Sequence, residues 1–211
     1  RNLIEMAKFR LPDVFHASLT PVELLARLQH HGIPTRLLDV TENALVALYF
    51  ACSEKIGAAD GEVIVFQEDE QDVNNYPIVN AIADSYRFAR SSVQKLSSFY
   101  KDVITQPYFL EQKRMNEIVM KTDEEGGEWV AQCCQKPIFL YAPIHDLRQQ
   151  VQQGRYLLFP NQVYGKEDGH KCFFSCIEAM PKNHECIQKR IIIAKEKKRQ
   201  LLQDLKLLGV S

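Results

Sequence analysis

The sequence has no apolar run near the roughly 20 residues that a membrane-crossing helix needs, and no basic stretch followed by an apolar one opens it. It lacks an excess of charge of either sign: 26 Lys and Arg stand against 27 Asp and Glu, a formal net charge of −1. That excludes a protein whose whole surface is an electrostatic footprint for nucleic acid. Glycine-rich phosphate loops, a Walker lysine and a nucleophile elbow are all missing. So are internal repeats, low-complexity tracts and Ser/Gly linkers, so residues 1–211 read as one domain. The expectation is a cytoplasmic protein with no membrane partner.

The 6 cysteines are scattered rather than framed for disulfides, and the adjacent Cys133 and Cys134 are poorly placed to pair with each other. His170, Cys172, Cys176, His184 and Cys186, in "HKCFFSCIEAMPKNHEC", are zinc-type ligands. Yet "KCFFSC" alternates like a strand, which turns Cys172 and Cys176 toward a core. The balance is against metal, and no metal ligand is assigned.

What is present is a soluble-globular composition, 45% hydrophobic and 25% charged, in a chain long enough to bury a core without cross-links. "RNLIEMAKFR" reads as a helix ending before Pro12. "TPVELLARLQHHG" carries an N-cap Thr20, Pro21 in the first turn, Glu23 completing a capping box, and Gly32 as a stop. Asp39 or Thr41 can cap a helix from Glu42 to about Ser53 that is apolar nearly all round and so belongs in the core.

"DGEVIVF" reads as a turn and a central type of strand. Helices follow at roughly 78–89, 93–103 and 108–121. "TDEEGGE" reads as an acidic loop and "EWVAQCC" as ambiguous. "PIFLYAP" is a strand, "IHDLRQQVQQG" a short helix, and "RYLLFP", "KCFFSC" and "CIQKRIIIA" are strands. A final helix spans about 195–208. Helices first, then strands interleaved with short helices, imply an α+β fold with a mixed sheet and N-terminal and central helices. The last segment gathers Lys189, Arg190, Lys195, Lys197, Lys198, Arg199 and Lys206. It reads as a solvated helix face, or as a surface for a phosphate-rich partner.

One stretch concentrates chemistry. "HHGIPTRLLDVT" sets His30, His31, Thr35, Arg36, Asp39 and Thr41 directly before the apolar helix. Helix-end histidines can simply cap, and an Arg36–Asp39 pair can be structural. Together with the amide end of the next helix, the same groups can hold an anion or a carbonyl, with a base near neutral pH.

"LQHHGIPTRLLDVTENALVALYFAC" resembles the signature of the FRG-domain family. "DGEVIVF", "PIFLYAPIHDLRQQVQQGRYLLFP" and "KRIIIAKEKKRQLLQDLKLLGVS" are similar to its later blocks. The aromatic-Arg-Gly element that normally precedes the signature is not found, so that segment is expected to be missing or diverged. Val40 stands where the family has an aromatic and Ala44 where it often has proline.

The resemblance implies a component of a bacterial anti-phage or toxin module, with a cognate antitoxin as a partner, and a fold loosely like that of ADP-ribosyltransferases. By that likeness the protein uses a nucleotide, NAD as cofactor, for ADP-ribosyl transfer or NAD hydrolysis. The implied catalytic residues are His31, Arg36 and Asp39, with Asp39 fixing Arg36. His30, Thr35, Thr41, Gln152 and Arg155 line the NAD pocket. The third motif has Gln152 and Gln153 without a glutamate. The alternative is a non-catalytic sensor or adaptor that binds nucleotide or nucleic acid. The basic C-terminal segment is the candidate surface for a nucleic-acid or protein target.

Overall fold

The computed structural model describes residues 2–54, 56–67, 77–88, 93–114, 122–141, 151–165, 171–174, 177 and 179–210. Among them the helices are α1 (Asn2–Arg10), α2 (Pro21–His30), α3 (Ala44–Ser53), α4 (Pro77–Phe88), α5 (Leu96–Val103), α6 (Pro107–Arg114), α7 (Asp123–Cys133) and α8 (Lys198–Leu207). The strands are β1 (Leu37–Thr41), β2 (Gly61–Phe66), β3 (Val93–Lys95), β4 (Ile138–Tyr141), β5 (Gly154–Leu158), β6 (Val163–Gly165), β7 (Lys171–Phe174) and β8 (Ile187–Ile193). The α+β content is as expected. In place of one mixed sheet, the described strands form three small ones, ordered β1-β5-β4, β2-β8 and β3-β7-β6. The helix expected at 144–153 lies mostly outside the described residues.

The chain folds as two compact units, each assembled from three stretches. Residues 1–38, 72–143 and 157–179 make the first, and residues 39–71, 144–156 and 180–211 the second. Phe159 N–H donates to Arg36 O, and Glu42 N–H to Gln153 O, both at 3.1 Å.

In the first unit, α2 forms as its sequence dictates. The Thr20 hydroxyl accepts from Glu23 N–H at 3.3 Å while the Glu23 carboxylate accepts from Thr20 N–H at 2.8 Å. Gly32, at φ +73°, closes the other end: Ile33 N–H reaches Leu28 O and Gly32 N–H reaches Gln29 O, both at 2.9 Å. This is a Schellman stop, and its left-handed position suits glycine.

The core helix of this unit is α4, in which every residue from Pro77 to Ser85 is buried. Helices α2, α5 and α6 pack on it. The "TDEEGG" stretch is the start of α7 rather than a loop: Thr122 and Glu125 form a second capping box. Its glycines permit close helix packing. A Cβ on Gly126 would overlap the Tyr100 ring, and one on Gly127 would run into the Ser97 backbone.

In the second unit β2 and β8 pair antiparallel, Gly61 opposite Ile193 through Ile64 opposite Arg190, with a register shift after Val65. Among the described residues β2 has no second neighbour and Ile64 is exposed, so it is not the central strand its apolar run suggests. Nor is α3 a core helix. Of its residues only Val46 and Cys52 are buried, while Leu45 and Phe50 are 40% and 46% exposed. The helix is apolar all round, and among the described residues a two-stranded ribbon and one further helix pack on it, leaving part of it uncovered.

Its cap is Asn43, whose Oδ1 accepts from Leu45 and Val46 N–H at 3.0 and 3.4 Å. At the other end the buried Lys198 donates from Nζ to the C-cap carbonyl of Glu54 at 2.9 Å. One cation of the basic segment therefore closes α3, a favourable place for positive charge. Lys195, Lys197, Arg199 and Lys206 are exposed.

Candidate functional site

The segment after α2 folds back on the helix end. The Thr35 hydroxyl donates to Gln29 Oε1 at 2.7 Å and accepts from Leu37 N–H at 3.0 Å, and Gln29 Nε2 donates to Leu37 O at 3.2 Å. Thr35 thus shapes the turn that delivers Arg36 to the first unit's interior. His30 and His31 are exposed at the end of α2. The His31 ring stands edge-on to both His30 and the buried Phe15, with centroids 5.5 Å apart in each case.

Arg36 is the centre of this unit's polar chemistry. Its Nη1 donates to Ile82 O at 2.6 Å, to Ser85 Oγ at 3.1 Å and to Asn161 Oδ1 at 3.1 Å, and Nη2 donates to the same Asn161 oxygen at 3.1 Å. Ser85 Oγ also donates to Asn161 Oδ1 at 3.2 Å. A carbonyl, a hydroxyl and a carboxamide hold the guanidinium, and among the described residues no carboxylate does. Burial draws its pKa down to about 10, which leaves it protonated at neutral pH. The nearby Cys134 thiol is pushed up to about 12 by burial, then by Cys133, against the pull of Arg36. It stays neutral and cancels none of the charge. Nε and the second hydrogen of Nη2 have no acceptor among the described residues.

Helix α4, which supplies Ile82 and Ser85, also carries a buried acid. Asp84 is 2% exposed. It accepts from Arg87 Nη1 at 2.8 Å and from the Tyr108 hydroxyl at 3.4 Å. Burial pushes its carboxyl up to about 6 despite the opposing pull of Arg87, Tyr108 and Lys8. Burial and Asp84 together raise the Tyr108 hydroxyl further still.

Asp39, Thr41, Gln152 and Arg155 belong to the second unit. There the Thr41 hydroxyl donates to Gln152 O at 2.6 Å and accepts from Asn43 N–H at 3.0 Å. Arg155, 6% exposed, donates from Nη1 to Glu42 Oε1 at 3.0 Å. Thr41, Glu42, Gln152 and Arg155 therefore meet in one clasp. Gln152 takes part through its backbone carbonyl, so the clasp does not select its side chain. Asp39 is exposed on β1. The α3 amides expected to receive an anion at 45 and 46 are already taken by Asn43.

Of the zinc-type cluster, His170 and Cys176 lie outside the described residues, and Cys172 is buried on β7. Among the described residues no group of three or more His, Cys, Asp or Glu could hold a metal. Also among them, no helix is long and apolar enough to cross a membrane.

The motif reading passed over Ser85, Asn161, Asp84, Tyr108 and Glu42. Only the helical pattern around 78–89 gave any sign of the first and third. Residues 3–59 match the family model of the FRG domain, so that segment is similar to an FRG domain. The match spans α1 to α3 and takes in His30, His31, Thr35, Arg36, Asp39 and Thr41. Gln152 and Arg155 lie beyond it. No curated protein and no solved structure matches the chain.

Proposed function

We propose that the first unit binds the phosphate of a nucleotide at Arg36, and that the nucleotide is NAD, from which ADP-ribose is transferred or released. The observation that carries this is a half-buried guanidinium held, among the described residues, only by neutral groups, with N–H donors still uncommitted. A partly desolvated charge without a counter-ion carries a cost, and an anionic ligand relieves it. The donor set suits one phosphate. NAD would bring the glycosidic bond to nicotinamide whose cleavage frees ADP-ribose. Arg36 holds the anion, Asn161 and Ser85 aim Arg36, and His31 serves as base or orients the ribose from the carbonyl end of α2, where an imidazolium is favoured. An ADP-ribosyltransferase-like fold accompanies this reading as analogy alone. So do a place in a bacterial defence or toxin module, a cognate antitoxin and a cytoplasmic setting.

A second reading, a nucleotide-binding sensor without turnover, is favoured by a specific observation. No carboxylate is among the described partners of Arg36, and none stands in the third motif to stabilise an oxocarbenium-like state. Incubation with NAD, following nicotinamide release beside calorimetric titration with ADP-ribose, separates the two. Release that is lost in Arg36→Lys supports the enzyme. Saturable binding without release supports the sensor. No nucleotide binding at all means that Arg36 only ties β1 to α4.

A further inference from the structure

Strand β8, "IQKRIII", is exposed at every residue from Gln188 to Ile192. In the antiparallel register with β2, Ile64 faces Arg190 and Glu62 faces Ile192. Residues two apart on a strand share a face, so these four side chains lie on one side of the ribbon. The ion pair of Arg190 Nε with Glu62 agrees with that placement. Gly61 belongs to the other side, where a Cβ would strike Ala51 O of α3 and Lys198 Cε. Helix α3 packs there on β2 and leaves β8 open. Ile191, on the α3 side, is 39% exposed, and Ile192, on the opposite side, 58%.

Both ends of β8 are held. Gln67 N–H donates to Cys186 O at 2.8 Å just before it, and Lys195 N–H to Asp60 Oδ1 at 2.9 Å just after it. Among the described residues β2 is its one neighbour. Alternate backbone N–H and C=O groups of such a strand point away from its partner, and an edge of this kind is a template for another strand. Cations on an edge guard it against its own kind: two β8 strands laid antiparallel bring their Lys189 and Arg190 toward each other. The two isoleucines beside them are unguarded on both faces, so the edge is selective rather than closed.

The selection is for negative charge. From residue 187 to 197, Lys189, Arg190, Lys195 and Lys197 stand against the single acid Glu196. Arg190 is matched by Glu62, whereas Lys189, Lys195 and Lys197 have no carboxylate partner among the described residues. We infer that β8 is the docking edge for an extended acidic segment of a partner protein, which joins the ribbon as a third, antiparallel strand. The segment answers β8 position by position. Acids lie opposite Lys189 and Arg190, and apolar residues opposite Ile191 and Ile192. Read from its N-terminus, it carries two apolar residues and then two acids. Nucleic acid is the poorer fit, because β8 has no aromatic ring for bases to stack on and its edge groups complement a peptide backbone. An edge already extended lowers the ordering cost of docking.

The test is fluorescence anisotropy of the whole chain with a fluorescein-labelled peptide, Ser-Thr-Val-Ile-Glu-Glu-Thr-Ser. Saturable binding that weakens with added salt is expected. Lys189→Glu should weaken it by at least about fivefold, as attraction turns into like-charge repulsion. A peptide with Lys-Lys in place of Glu-Glu should then bind that variant better than it binds the wild type. Two peptides N-methylated at alternate sets of backbone amides probe the edge itself. One set should abolish binding and the other preserve it, because only alternate amides face β8. Circular dichroism checks that the variant is folded. No peptide binding, two methylated sets that behave alike, or unchanged affinity in folded Lys189→Glu would overturn the inference. Tighter binding of a single-stranded oligonucleotide would overturn it in favour of nucleic acid, and a dimer of the chain that excludes the peptide in favour of a second copy.

Discussion

The Asn161 carboxamide oxygen accepts from both terminal nitrogens of Arg36, at 3.1 Å each. A neutral amide thus occupies the place where a carboxylate would form a fork-to-fork ion pair. Asn161→Asp is expected to keep or raise the melting temperature, because it supplies the missing counter-charge. The same change should weaken nucleotide binding by about tenfold or more, the scale of 1.4 kcal/mol. Asn161→Ala instead leaves Nη2 without its acceptor, while Nη1 keeps Ile82 O and Ser85 Oγ, and should cost about 1–3 kcal/mol of stability. Thermal melts and ligand titration of the two variants decide it. Undiminished nucleotide affinity in Asn161→Asp would mean that the Arg36 charge is not what holds the ligand.

Asp84 makes stability depend on pH. Burial raises its carboxyl from 3.8 to about 6, so between those values the folded chain keeps a proton that the unfolded chain releases. Its contribution is fully present below about pH 4 and is lost as pH rises through about 6. Asp84→Asn should flatten this part of the profile and add about 2 kcal/mol at pH 7, a figure reduced for the half-exposed Arg87 beside it. Urea melts of both proteins at pH 5 and pH 7.5 measure the difference, and parallel profiles would count against the buried acid.

Gly126→Ala places a methyl group against the Tyr100 ring. Overpacking of this kind costs about 1–3 kcal/mol. Shortening the ring with Tyr100→Leu in the same chain should recover part of the loss, a coupling readable in a double-mutant cycle. Simple additivity would show that α5 and α7 do not meet there.

Gln153 holds φ at +48°, a left-handed conformation that costs an L-residue about 1–2 kcal/mol. Gly lifts that strain but frees the unfolded chain by about 0.4–1 kcal/mol. Gln153→Gly is therefore expected to stabilise by about 0.5 kcal/mol, the difference between those two effects. Its carbonyl still receives Glu42 N–H. A loss of 1 kcal/mol or more would show that the Gln153 side chain has a task of its own.

Local chemistry was readable in the sequence where one short stretch determines it. Thr20, Pro21, Glu23 and Gly32 delimit α2 without help from any distant residue. The start of α7 carries the same Thr-x-x-Glu signal, but Gly126 and Gly127 disguise it as a loop. Their reason, the closeness of α5, is a fact of packing. Helix α3 misled for a related cause, since an all-apolar sequence does not state how much protein surrounds it. Its motif singles out Arg36 as a candidate, and the structure surrounds it with polar partners. Its partners were not, because Ser85 and Asn161 lie 49 and 125 residues away in segments with no motif of their own.

The β2–β8 ladder also sets an order of events during synthesis. Gly61 faces Ile193, 193 − 61 = 132 residues later, so β2 leaves the ribosome long before its partner strand exists. At roughly 5–20 residues per second the run Val63–Phe66 waits several seconds or more with its edge unpaired. A nascent chain of this protein is therefore most exposed to aggregation while its second unit is open, and that unit closes only once residues 180–211 have been made.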